Sequence, residues 1–136
     1  MVTGIIAQVG TSIALTKAIS EADVALFALV TDNVKLQTEE PKASDSGGPS
    51  SVPAALLAAL LGAAAARHVG ESASATFLRA EVSFVGTAMA DDTLTATAEV
   101  AGYDEASRVL RVRASCTNQE GQRLAEGSFE LRAPAS

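Results

Sequence analysis

The stretch that decides the fold is Ser50–Val69, SSVPAALLAALLGAAAARHV. From Ala54 to Ala66 it has no polar side chain, and Ala54, Ala55, Leu56, Leu57, Ala58, Ala59, Leu60 and Leu61 fill every direction around a helix axis. The stretch predicts one buried helix over Val52–Arg67, wrapped by the rest of the chain. Ser50 or Ser51 suits the N-cap, Pro53 the first turn, and Arg67, His68 and Gly70 the C-terminal end. About 16 residues rise only about 24 Å, short of a bilayer core, so this is read as a core helix and not as a membrane span.

Downstream, between Ala75 and Arg132, the hydrophobic period falls from the helical value to two. Four runs alternate: Leu78, Ala80, Val82, Phe84; Leu94, Ala96, Ala98, Val100; Leu110, Val112, Ala114, Cys116; and Ala125, Gly127, Phe129, Leu131. The positions between them, such as Arg79, Glu81, Thr95, Thr97, Glu99, Arg111, Arg113, Glu126 and Glu130, are polar, as in an antiparallel sheet wet on one face. Turn chemistry separates the runs at Ala90-Asp91-Asp92, Tyr103-Asp104-Glu105 and Asn118-Gln119-Glu120-Gly121. A curved antiparallel sheet wrapped around one long buried helix is an α+β architecture, the hotdog fold.

The 136 residues suit a single domain spanning 1–136. With 48% hydrophobic but only 4% aromatic residues, the core must be built of Ala, Val and Leu, and there is no Trp to serve as a binding platform. A net charge of −6 argues against nucleic acid or an anionic membrane as partner. Cys116, the one cysteine, falls on an inward strand position and reads as a small core residue; disulfides and cysteine-based metal sites are excluded. No basic segment followed by an apolar run opens the chain, which predicts a cytoplasmic protein.

Residues 1–10 fit either a flexible lead-in or a short extra strand. Ser12–Ile19 reads as a strand, and Ser20 opens a helix over Glu21–Val30 with Asp23 completing a variant capping box. Val24, Phe27, Ala28 and Thr31 share one face of that helix. Residues 32–50 are polar and rich in Ser, Gly and Pro without either period, and lead into the buried helix. A loop of about 15 or more residues in a compact domain is functional or mobile, so the segment is either an active-site or lid loop or a plain solvent loop.

Three stretches carry a family resemblance. ISEADVALFALVTDN (Ile19–Asn33) is similar to the segment before the active site of MaoC-like (R)-specific enoyl thioester hydratases and dehydratases. LRAEVSFVGTAMADDTLTATAEV (Leu78–Val100) resembles that family's strand, turn and strand around F-x-x-P-V-x-x-G-D-T-L, and CTNQEGQRLAEGSFEL (Cys116–Leu131) its closing hairpin. The family's catalytic motif, G-D-x-N-P-x-H, places an Asp and a His on the water that adds across an enoyl double bond. Aligned without gaps, Asp32 falls on the Gly, Asn33 on the Asp and Thr38 on the His; with one deletion Asp32 takes the Asp position and Gln37 that of the His. Neither register holds a histidine. The single one, His68, stands at the far end of the buried helix and reads as a charge at a helix C-terminus. Where the family starts its central helix with His-Gly, this chain has Pro53 and Ala54, and the amides of Ala54 and Ala55 can still polarise a carbonyl.

The resemblance implies an enzyme acting on an acyl thioester of coenzyme A or acyl carrier protein, of hydratase/dehydratase lineage with the usual dyad not intact. Asp32, Asn33 and Thr38 are the candidate catalytic residues, and Pro53, Ala54 and Ala55 the substrate-binding ones. No metal or resident cofactor is implied; coenzyme A or phosphopantetheine enters as part of the substrate. Two alternatives stay open: a thioesterase or tailoring enzyme using a loop carboxylate such as Glu39, Glu40 or Asp45, and a non-catalytic acyl-binding or partner subunit. Arg79, Arg111 and Arg113 read either as phosphate contacts or as a solvated sheet face. Open sheet edges and the family's acyl tunnel near its subunit interface imply a homodimer or higher homo-oligomer.

Overall fold

The computed structural model describes residues 8–31, 50–69 and 75–134. Along the chain run β1 (Ser12–Ala18), α1 (Glu21–Val30), α2 (Ala54–Ala66) with a 3-10 turn over Arg67–Val69, β2 (Thr76–Phe84), β3 (Thr93–Asp104), β4 (Val109–Thr117) and β5 (Arg123–Arg132). The strands form one antiparallel sheet in the order β1-β3-β4-β5-β2, with α2 packed across β3, β4, β5 and β1. This is the hotdog architecture. No described helix is long and apolar enough to cross a membrane.

The inward positions read from the alternation of β3 and β4 are all buried, from Leu94 to Val100 and from Leu110 to Cys116. They meet Leu57, Leu61, Ala64 and Ala65 of α2 in one core, with Leu56 and Leu60 packed beside it. The opposite face of α2, Ala54, Ala55, Ala59 and Ala63, is exposed in the single chain. Each of these residues exposes only a methyl group, so the helix leaves that side uncovered at little cost.

Four local readings need correction. The helix begins at Ala54, and neither Ser50 nor Ser51 caps it: Pro53 is the N-cap, at φ −58° and ψ 140°, without a side-chain cap bond. The serines belong instead to an extended segment in which Ser51 bridges Met89, Val52 N–H donates to Ala88 O (2.8 Å) and Ala90 N–H donates to Ser50 O (2.7 Å). In β2 a bulge between Phe77 and Arg79 breaks the alternation, so Phe77, opposite Leu131, takes the inward place read for Leu78. Its ring stands edge-on to Phe129, 6.1 Å between centroids, in the space left above Gly62. The β3–β4 turn lies at Glu105–Arg108, past the Tyr103-Asp104-Glu105 reading, because a second bulge between Val100 and Gly102 lengthens β3. Finally, His68 is not a solvent-facing charge at a helix end. The 3-10 turn leaves Arg67 exposed and brings His68 inside at 4% exposure, where its Nε2–H donates to Ala98 O (2.9 Å) on β3.

α1 forms as read. Ser20 accepts from Asp23 N–H (3.1 Å) and Asp23 accepts from Ser20 N–H (3.0 Å), closing the capping box. Only Val24 and Ala28 are buried along it, while Leu26, Leu29 and Val30 face outward.

Candidate functional site

Three chain segments meet where α2 begins. The extended residues Ser50–Val52 pair with Ala88–Ala90, and the next two residues of that loop bond the strand before α1: Asp91 N–H donates to Ile19 O and Ile19 N–H to Asp92 O. A cavity of about 420 Å³ opens above this junction, lined by Val52, Ala54 and Leu57 on one side and Phe84–Ala88 on the other. Among the described residues that line it, the side chains are apolar except for the hydroxyl of Thr87. Gly86 lets the wall lie close to β5. Val85 and Gly86 both donate to Leu124 O (2.9 and 3.1 Å), and a Cβ on Gly86 would come within 2.9 Å of the Leu124 side chain.

The polar component of the site is backbone. In the first turn of α2, Leu56 and Leu57 N–H already donate to Pro53 O (3.0 and 3.4 Å). The amides of Ala54 and Ala55 precede any intrahelical acceptor, the N-cap Pro53 makes no side-chain cap bond, and no acidic residue stands in the first turn to compete for them. They therefore offer donors and the positive end of the helix dipole beside an apolar hollow. That combination suits a carbonyl oxygen, or the oxyanion that develops from it, attached to an apolar chain.

Of the residues expected at the site, Ala54 lines the cavity; Pro53, the N-cap before it, and Ala55, exposed after it, are its chain neighbours and not part of the lining. Asp32, Asn33 and Thr38, with Glu39, Glu40 and Asp45, lie outside the described residues. The arginines do not line the cavity. Arg79 pairs with Glu81 (2.7 Å), Arg111 sits opposite Glu130 and Arg113 opposite Glu99, a charge-matched outer sheet face. Cys116 is buried, and burial pushes its thiol pKa up, away from nucleophilic use.

Sequence reasoning missed two residues at this junction. Thr87 was hidden because it belongs to neither period; its signal is its place between the end of β2 and the Asp91-Asp92 turn. Glu21 carries no signal of its own in the sequence beyond opening α1. Its Oε2 accepts from Ser50 N–H (2.9 Å), across 29 residues of chain, and this bond, followed by one from the Ser50 side chain, lowers its pKa.

No family sequence model and no curated protein sequence matches the chain. Solved structures do. The (R)-hydratase from A. caviae involved in PHA biosynthesis superposes with a TM-score of 0.80 at 22% identity, over 93% of this chain and 97% of that one. The ChsH1–ChsH2 complex from Mycobacterium tuberculosis contains a chain similar at TM-score 0.77 and 19% identity, over 95% and 100% of the two chains. A hypothetical protein of the thioesterase superfamily from Thermus thermophilus is similar at TM-score 0.67 and 12% identity, over 95% and 85%. At these identities the likeness establishes the hotdog fold.

Proposed function

We propose that this chain binds and acts on an acyl thioester of coenzyme A or acyl carrier protein, as a hydratase/dehydratase-lineage protein without the Asp/His dyad. The observation that carries this reading is the apolar cavity of about 420 Å³ at the start of α2, with Ala54 in its wall and first-turn amides that have no partner among the described residues beside it. The thioester carbonyl accepts from the amides of Ala54 and Ala55, and the acyl chain lies between Leu57, Phe84 and Val85. Polarising the carbonyl withdraws electrons from C2 and C3, as both water addition to an enoyl thioester and its reverse require. Any retained proton transfer then falls to Asp32, Asn33 and Thr38. A missing positioned acid or base costs on the order of 10²- to 10⁴-fold, so hydration of crotonyl-CoA is expected to be little or none.

The greater structural likeness to the hydratase ranks this reading above the thioesterase alternative. A homodimer belongs to the proposal. Among the described residues β1 and β2 are the edge strands, and β2 exposes Phe77, Leu78 and Phe84, with Val85 just beyond in the cavity wall. Coenzyme A or phosphopantetheine is the carrier portion of the substrate and no resident cofactor is required.

The test is calorimetric titration with butyryl-CoA and with free coenzyme A, beside a crotonyl-CoA hydration assay. Tighter binding of butyryl-CoA with negligible hydration is expected. Equal affinity for the two ligands would overturn the acyl site, and robust hydration would overturn the lost dyad.

A further inference from the structure

Among the described residues that line the cavity, Thr87 alone has a polar side chain. When the pattern F-x-x-P-V-x-x-G-D-T-L is laid on residues 84–94, Thr87 takes the place of its proline. A proline ring offers a ligand only apolar surface, whereas a threonine hydroxyl both donates and accepts. Within the described residues that hydroxyl forms no hydrogen bond, and the residue is exposed. Its position follows from the pairing that precedes α2. Ser51 bridges Met89 and Val52 N–H donates to Ala88 O (2.8 Å), so the next step of the register sets Thr87 opposite Pro53, the residue before the Ala54 amide. Facing residues of an antiparallel pair stand about 4.5–5.5 Å apart at Cα. From there the hydroxyl reaches only those atoms of a bound thioester that lie close to its carbonyl.

We infer that Thr87 is a specificity-determining residue that selects acyl groups carrying a hydroxyl on C2 or C3, which makes hydroxyacyl thioesters the ligand class of this cavity. The inference rests on the acyl-thioester reading and deepens it. On the carrier side of the carbonyl, the first nitrogen comes only after a sulfur, itself a weak acceptor, and two methylenes. On the acyl side, C2 and C3 fall within reach of Thr87, and Leu57, Phe84 and Val85 surround the rest of the chain. A ligand hydroxyl moved from water to such walls loses its partners, and Thr87 supplies one where the other described side chains of the lining supply none. A saturated chain leaves the exposed Thr87 hydroxyl to water. The discrimination is therefore that of one hydrogen bond, below the large factors of a buried polar pocket.

The test is calorimetric titration of the full chain with free coenzyme A, butyryl-CoA, 2-hydroxybutyryl-CoA and 3-hydroxybutyryl-CoA. It is repeated on Thr87→Val, which keeps the shape and removes the hydroxyl, and on Thr87→Ser, which keeps the hydroxyl, with thermal melting to monitor the fold. At least one of the hydroxybutyryl thioesters is expected to bind about 2- to 10-fold more tightly than butyryl-CoA. Thr87→Val is expected to bring that ratio close to one, and Thr87→Ser to restore most of it. Because the ratio is read within each variant, a general weakening of binding does not mimic the effect. A ratio that survives in Thr87→Val overturns the inference. So does the absence of any preference in the unmodified chain, the result expected if Thr87 were a third donor to the carbonyl, from which every acyl thioester gains alike. Both results leave the acyl-thioester reading standing as long as butyryl-CoA binds more tightly than free coenzyme A. If it does not, that reading falls, and the role of Thr87 with it.

Discussion

Replacing Ala54 with proline removes one of the two donors assigned to the thioester carbonyl and leaves almost everything else in place. Ala54 is the first helical residue, where the missing N–H breaks no intrahelical bond and the fixed φ of proline suits the helix. The residue before a proline must be extended, and Pro53 at ψ 140° already is. The Ala54 side chain is exposed, so the ring has room. Folding stability is expected to be unchanged or to rise by about 0.4–1 kcal/mol through the stiffer unfolded chain. Binding is expected to suffer. Loss of one net hydrogen bond, about 0.5–1.5 kcal/mol, weakens butyryl-CoA about 2- to 10-fold. If the protein turns over any thioester, kcat should fall about 10²- to 10³-fold, as for removal of an oxyanion donor. Calorimetric titration with parallel thermal melts measures both, and Ala54→Val, which adds bulk but keeps the N–H, is the control. Wild-type affinity in Ala54→Pro, or an equal loss in Ala54→Val, would refute the assignment.

Other outcomes follow from the packing. His68→Leu keeps the volume but removes the buried bond to Ala98 O, and is expected to cost about 1–3 kcal/mol by chemical denaturation. Gly62→Ala places a methyl at 3.7 Å from the Phe77 ring, ordinary contact, so the gain in helix propensity should stabilise the fold by about 0.5–1 kcal/mol. Gly127→Ala drives its methyl into the Glu81 carbonyl on β2 and should destabilise by about 1–3 kcal/mol, with faster amide exchange along β2. Glu21 and Asp23 both have lowered pKa values, through the N–H groups of Ser50 and Ser20. Their support of α1 is therefore complete above the usual carboxylate range and lost as pH falls through the lowered values, visible as acid fraying of α1 by NMR that Glu21→Gln and Asp23→Asn each reduce.

The long elements were legible because their patterns were uninterrupted: thirteen apolar residues in α2, and strict alternation in β3 and β4. What escaped was set by contacts far along the chain. The bulge at Leu78 is fixed by the pairing of Phe77 with Leu131 and by the room above Gly62, neither of which is encoded near residue 78. Ser50 and Ser51 carry a good capping chemistry, but the helix starts later, and they stand three and two residues before the N-cap Pro53 in the segment that pairs with Ala88–Ala90. His68 looked like a helix-end charge because the 3-10 tightening that turns it inward has no local mark. At the site, the backbone donors followed from the helix start alone. Glu21 was invisible because its partner, Ser50, is brought to it only by the fold.

The most direct test is the carbonyl stretch of a bound thioester, measured by infrared difference spectroscopy with butyryl-CoA carrying a ¹³C label at the thioester carbon. Two backbone donors at the start of a helix should shift the band to lower wavenumber than in water, and Ala54→Pro should return it part of the way. A bound thioester whose carbonyl band does not move would contradict the account.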